Sequence, residues 1–391
     1  NKHFNSNNYF RIAYCGINND TINYYLKRIE NFRYIETSND EDYDYIIDLI
    51  LAARISLRFD NPLWIAVQAT SSSGKTEIMK MLDSDDSTHF LTDITPKTLF
   101  SGYQAANGGF IPRQVKEKGL LCFPDFTTVL SQNTNNLSAI MSQLRVAYDG
   151  KASRRTGMDV AAVKDWEGKI GVLLAVTNAI EDFKKKASSL GERFIYFRHR
   201  VPSFDADTYC EGVKPDKFPK KSLSKLLINA EKRKPVLFEP GMSTIINHAA
   251  ELVSKCRTAV IRNHYTKEIE FINEPEEPYR LRAQFKTLVE TLSILHEGIT
   301  PRTNSILQEI VYGSIPLDRF YVLNELSMEN EILNKDIREL LGYNPSRVTH
   351  LLQDMEAIGI VEKYSKGLAA SEQIRDSWQV VFNEKAEFSE Y

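Results

Sequence analysis

LWIAVQATSSSGKTEIMKML, residues 63–82, decides the fold. Leu63 to Val67 are apolar without a break and read as a buried strand. EIMKML, at the other end, reads as a helix. Between them ATSSSGKT, residues 69–76, follows G-x-x-x-x-G-K-[ST] with Ala69 in place of the first glycine. Small residues let backbone N–H groups turn inward around phosphate oxygens. Lys75 supplies a point charge, Thr76 offers a hydroxyl to Mg²⁺, and the start of a helix favours an anion. Ala69, Ser72, Ser73, Gly74, Lys75 and Thr76 are therefore the expected contacts of a nucleotide, with ATP and Mg²⁺ as its chemistry.

From this loop to about Pro202, apolar runs alternate with helical segments. LLCF (Leu120 to Phe123), IGVLLAV (Ile170 to Val176) and FIYFR (Phe194 to Arg198) read as further buried strands. That rhythm predicts an α/β layer around a parallel sheet. Upstream, a helix is expected near Asp20 to Glu30 and another from about Asp42 to Phe59. Downstream, residues 203–236 read as irregular and basic, and Pro240 to His296 as helical throughout. Thr303 to Pro316 reads as a bridge to a last unit. The expected division is a lead-in at 1–60, an α/β core at 61–202, a linker and helical lid at 203–300, and a C-terminal domain at 301–391.

In this order the segments resemble AAA+ ATPases, most closely the minichromosome-maintenance (MCM) type of helicase module, over roughly Leu63 to Leu295. The chain is similar in layout to the self-loading helicases of mobile elements. GLLCFPDFTTV (Gly119 to Val129) resembles the Walker B stretch. AVTNAI (Ala175 to Ile180) resembles sensor 1, in which Asn178 would orient the attacking water. LGERFIYFR (Leu190 to Arg198) resembles the segment that makes Arg193 an arginine finger for a neighbour's ATP. YRLRAQFKTLVETL (Tyr279 to Leu292) resembles the lid, with Arg282 or Arg280 as sensor 2. The resemblance implies a ring, a hexamer of this chain, acting on DNA. It breaks at Walker B, where Pro124-Asp125 stands for the usual Asp-Glu. Proline has neither a carboxylate nor a backbone donor. Asp125 is then the group that either supports the Mg²⁺ shell or acts as base.

QLRVAYDGKASRRTG, Gln143 to Gly157, stops its helical periodicity near Tyr148 and turns at Asp149-Gly150. By the same resemblance a hairpin projects here into a central channel. Lys151, Arg154 and Arg155 would neutralise nucleic-acid phosphates there without reading sequence. A solvated surface loop is the alternative. The basic residues from Lys214 to Lys234, among them Lys220, Lys221, Lys232, Arg233 and Lys234, read as a solvated linker face, with DNA contact as the alternative.

At the C-terminus, DRFYVLNEL (Asp318 to Leu326) is amphipathic. NKDIRELLG (Asn334 to Gly342) has Asn334 as N-cap and Gly342 as terminator. Tyr343-Asn344-Pro345 turns into SRVTHLLQDMEAIGI, and IVEKYSKGLAA follows as strand, turn and strand. This resembles a winged helix. On DNA it would present Ser346, Arg347 and His350 from the third helix, with Lys363 and Lys366 from the wing. Val348, Leu351, Leu352 and Met355 form its expected core face. A winged helix also serves as a protein-binding module, so an ATP-gated switch that signals to a protein partner is the alternative to a DNA motor.

Composition sets the outer limits. The 391 residues are 42% hydrophobic and 26% charged, with a net charge of −3. These values suit a globular protein and exclude a polycation, so any nucleic-acid contact must come from local basic patches. No run is long and apolar enough for a membrane span. Cys15, Cys122, Cys210 and Cys256 form no C-x2-C pair, so neither a zinc site nor a disulfide framework is expected, and a reducing cytoplasm fits.

Overall fold

The computed structural model describes residues 45–71, 75–100, 109–154, 164–181, 193–199, 220–236, 238–328, 332–363 and 367–382. The expected helix near Asp20 to Glu30, and Ser72, Ser73, Gly74, Arg155 and Lys366, lie outside them.

The α/β reading holds. A helix, α1 (Ile46–Ile55), precedes β1 (Trp64–Gln68). After the loop come α2 (Lys75–Met79), continued by one 3-10 turn, and β2 (Thr88–Phe90). Then follow β3 (Lys118–Phe123), α3 (Thr127–Leu130) and α4 (Thr134–Asp149). A hairpin of β4 (Lys151–Arg154) and β5 (Lys164–Glu167) leads to β6 (Lys169–Val176), and β7 (Ile195–Arg198) completes the sheet. The five strands lie in the order β2-β3-β6-β1-β7, and every neighbouring pair is parallel.

A parallel sheet covered on both faces needs strands that are apolar at every position, because successive side chains point to opposite sides. β1 and β6 meet that demand. Ile65, Val67, Leu173 and Ala175 enter one core with α1, while Trp64, Ala66, Val172 and Leu174 enter another with Ile140 and Leu144 of α4. β2 was not foreseen, since Thr88-His89-Phe90 is short and only half-buried.

Beyond the sheet the sequence reading needs three corrections. Residues 203–236 are not irregular throughout: α5 (Lys220–Lys232) forms there. Leu223, Leu226, Leu227 and Ala230 are buried at helical spacing beneath a charged face. Residues 240–296 are not all helix. Between α6 (Pro240–Cys256) and α7 (Tyr279–Leu295) stands a hairpin of β8 (Val260–Arg262) and β9 (Ile269–Ile272). Asn263 makes its turn, its Oδ1 accepting from the N–H groups of Tyr265 and Thr266. The stretch read as a bridge is a helix, α8 (Pro301–Ser314), opened by a Thr300–Thr303 capping box and packed along β7. It therefore belongs with the sheet edge.

The last unit contains α9 (Leu317–Met328), α10 (Asn334–Leu341) and α11 (Pro345–Ala357). An antiparallel ribbon, β10 (Val361–Lys363) and β11 (Leu368–Ala370), follows, then α12 (Glu372–Phe382). Gly342, at φ 61°, ends α10 as expected, while Leu333 rather than Asn334 occupies the N-cap position. Asn344 caps α11 through its Oδ1 and the N–H of Arg347. Val348, Leu351, Leu352 and Met355 are buried, as the core face requires.

Two polar ties hold these layers together. Asp48 of α1 accepts from Arg302 Nε at 2.6 Å and lies 3.3 Å from His296 Nε2, joining α1, the end of α7 and α8. Arg198 of β7 donates to the carbonyls of Tyr312 and Ile315 and pairs with Glu181 at 3.0 Å. Among the described residues no helix is long and apolar enough to cross a membrane.

Candidate nucleotide site

Of the residues expected to handle phosphate, Ala69, Lys75, Thr76, Asp125 and Asn178 meet at the C-terminal ends of β1, β3 and β6. Lys75 is the first residue of α2, and its side chain does not reach outward as the loop position suggests. It is buried, and Nζ donates to the carbonyls of Ala69 at 3.0 Å and Thr70 at 2.7 Å. A buried ammonium must find acceptors, and the loop's own carbonyls are adjacent. Burial brings its pKa down to about 8, with the charge of Asp125 opposing the shift.

Thr76 Oγ1 donates to the Pro124 carbonyl at 3.0 Å, which ties α2 to the end of β3. Proline thus supplies an acceptor where the resembled family has a carboxylate. Asp125 is exposed, and its Oδ1 accepts from the Thr127 N–H at 2.9 Å at the start of α3. Phe126 N–H donates to Ala175 O at 2.8 Å, so the turn carrying Asp125 is fastened to the end of β6. Thr76 and Asp125 offer hard oxygen donors beside Lys75. That set fits Mg²⁺, which takes one or two protein ligands and completes its shell with phosphates and water. No cluster of three His, Cys, Asp or Glu ligands occurs among the described residues.

Asn178 stands two residues beyond β6, exposed, and its Oδ1 accepts from Gln68 Nε2 at 3.2 Å. Sequence reasoning passed over Gln68. The available signal was a polar residue ending an otherwise apolar strand, WIAVQ. Ala69 is buried, and its N–H donates to Val176 O at 3.1 Å.

The arginines lie elsewhere. Arg193 precedes β7, at the N-terminal end of the sheet. Its Nη2 lies 3.1 Å from Asp149 Oδ1, and its guanidinium is 5.2 Å from the Tyr148 ring centroid. Burial lowers its pKa; the Asp149 bond opposes that, and Arg280 nearby adds to it. Arg280 is 5.9 Å from the same ring and pairs with Glu276. Tyr148 in turn stacks edge-on against Trp64, the first residue of β1. Gln284 fixes α7 to that end by accepting from Trp64 N and donating to Pro62 O. Arg282, exposed, lies on the same first turns. Four strand steps of about 3.3 Å separate Trp64 from Gln68, roughly 13 Å in all. Arg193, Arg280 and Arg282 are therefore remote from Lys75 and Thr76 of their own chain.

The expected hairpin is present as β4 and β5. Trp166 anchors its base, donating to Lys116 O at 2.6 Å and stacking 5.3 Å from Phe100. Lys151 is exposed and pairs with Glu167 at 3.3 Å, while Arg154 ends β4. In the C-terminal unit Arg347 is exposed, with its guanidinium 3.5 Å from the Tyr343 ring centroid. His350 is not an exposed position as expected. It is half-buried where the β8–β9 hairpin meets α11, and Arg262 donates to its carbonyl at 3.0 Å and to Asp354 at 2.8 Å. Lys363 is exposed and pairs with Glu356 at 2.5 Å.

Compared with protein-family profiles and with curated proteins, the chain matches none, so the reading of this site rests on its own geometry.

Proposed function

We propose that this chain is an ATP-driven motor on DNA, an AAA+ ATPase of the MCM-like type that works as a ring. One observation carries the reading: Lys75, Thr76, Asp125 and Asn178 converge at the C-terminal ends of adjacent parallel strands. In open α/β sheets that end is where ligands bind, and a helix beginning there favours phosphate.

In this mechanism Lys75 exchanges the loop carbonyls for the β- and γ-phosphates. Thr76 and Asp125 would hold Mg²⁺, which when bound neutralises charge on those phosphates. Asn178 orients the water whose oxygen forms the new bond to the γ-phosphorus as the bond to the β-phosphate oxygen breaks. Thr127 engages one oxygen of Asp125, leaving the other to meet the ion or take the water's proton. Arg193, with Arg282 or Arg280, is too distant from its own loop and would act on the nucleotide of an adjacent subunit. That makes a ring, in our reading a hexamer, the working form. Lys151, Arg154 and Arg155 would track the DNA backbone. Arg347, Lys363 and Lys366 of a C-terminal winged helix would add contacts.

The test is ATP turnover with and without single-stranded or forked DNA. Wild type should be stimulated by DNA, and Asp125→Asn should keep ATP affinity while losing ~10²–10⁴-fold in turnover. Turnover of that variant within a few-fold of wild type would overturn the site assignment.

A second reading has one observation in its favour. Arg262 occupies the flank of α11 through His350, Gln353 and Asp354, so part of the helix expected to face DNA is engaged within the chain. An ATP-gated switch signalling to a protein partner through this unit fits that contact. Turnover indifferent to DNA would favour it.

A further inference from the structure

We infer that Gln68 is a positioning residue that sets which end of the Asn178 amide faces the reacting phosphate; the inference rests on the ATPase reading above. Gln68 closes β1 and is 4% exposed. Its strand pairs in parallel with β6, Gln68 lying opposite Val176, so the side chain arrives beneath the turn that carries Asn178. The next residue, Ala69, is fastened to the same Val176 through its N–H. Gln68 O accepts from His199 N at 2.8 Å, which holds the strand end from its other side. A glutamine placed in such a position by four buried apolar neighbours is costly unless its amide is bonded.

The direction of the bond matters more than its existence. Gln68 Nε2 donates and Asn178 Oδ1 accepts, at 3.2 Å. The carbonyl of Asn178 is therefore engaged, and Nδ2 is the end left to the site. Phosphate oxygens accept hydrogen bonds and cannot donate them, so Nδ2 is the only end of the amide that can bind them. Asn178 is exposed on a turn, where an amide could otherwise rotate end for end. The bond from the buried Gln68 amide favours this orientation before substrate arrives. Preorganised donors are effective because no reorganisation remains at the moment of reaction.

Substituting Gln68→Met keeps length and volume and removes the amide. Turnover should fall by about ten- to a hundredfold, the cost of a misplaced group. Affinity for a non-hydrolysable ATP analogue should stay within about threefold, because Lys75 and the loop carry binding. A merely structural role would lower both together. The pair is closed with Asn178→Ala and with the double variant. If Gln68 acts through Asn178, the double variant is no slower than Asn178→Ala alone. Gln68→Glu, equal in size but able only to accept, is the second variant should the methionine disturb folding, and it too should lose turnover. Wild-type turnover in a folded Gln68 variant beside a slow Asn178→Ala overturns this inference and leaves the ATPase reading standing. Additive losses in the double variant also overturn it. Absence of ATP turnover in the wild-type chain overturns both.

Discussion

Gly313→Ala tests how α8 is held against the sheet. Gly313 is in the last turn of α8, and a Cβ built on it would lie 2.1 Å from Tyr196 O, 2.8 Å from Tyr196 C and 3.2 Å from Arg198 N. These are backbone atoms of β7 and cannot rotate away. Restoring a tolerable contact requires a shift of roughly 1 Å, since real Cβ contacts stay above 3.0 Å. That shift strains three bonds across the same seam: Tyr196 N to Ser314 Oγ at 3.0 Å, and Arg198 to the carbonyls of Tyr312 at 2.6 Å and Ile315 at 2.8 Å. Overpacking costs about 1–3 kcal/mol, and each weakened buried bond adds about 1. Alanine returns about 1 kcal/mol in helix propensity. The balance is a destabilisation of about 3–5 kcal/mol, which lowers the melting temperature by several degrees. The control is Gly241→Ala in the first turn of α6, where an added Cβ meets nothing within 4 Å. It should melt at or slightly above wild type. Thermal unfolding followed by circular dichroism compares the two, and a Gly313→Ala chain as stable as wild type would refute the packing argument.

The remaining predictions concern charge. Burial brings Lys75 to about 8, the ammonium is protonated below that pH, and phosphate binding requires the protonated form. ATP affinity measured by calorimetry should therefore be level below about pH 8 and weaken above it by up to about tenfold per unit; a level profile to about pH 9.5 would count against Lys75 as the phosphate ligand. Burial disfavours the Asp48 carboxylate, but Arg302 and His296 more than offset that and hold it well below the usual range. A depressed carboxyl contributes stability above its unfolded value, about 4, and loses it as pH falls further, so acid melting should set in below about pH 4. Asp48→Asn should remove much of that acid dependence and cost about 3 kcal/mol at neutral pH, the low end for a buried pair because Asp48 keeps 17% exposure; an unchanged acid melting curve would exclude Asp48 as its cause. Arg193→Ala should bind ATP and fail to hydrolyse it, and mixing it with Lys75→Ala should restore part of the turnover. No recovery in particles that demonstrably exchange subunits would argue against action across a subunit boundary.

The sequence alone determined the sheet's principal strands and the helix that starts at Lys75. Strands buried on both faces must be apolar at every position, so β1, β3 and β6 stand out from their surroundings without any knowledge of their partners. An apolar run, the small residues up to Gly74 and a helical segment opening with Lys75-Thr76 are contiguous in the sequence, and contiguous features are legible one-dimensionally. The same holds for Gly342 ending α10, because a cap acts within one turn. Short-range signals were also available for the Asn263 turn and for the leucines of α5, and a reading of charge and helix periodicity overlooked them. Other features come only from the tertiary structure. The partners Gln68 and Asn178 are 110 residues apart and meet because β1 pairs with β6 in a particular register. Lys75 folds onto its own loop because burial forces an ammonium to seek the nearest carbonyls. Arg193 and Arg280 stand at the far end of the sheet from Lys75 because all five strands run parallel. Residues before a strand and residues after it are then separated by the strand's whole length, whatever motif they resemble.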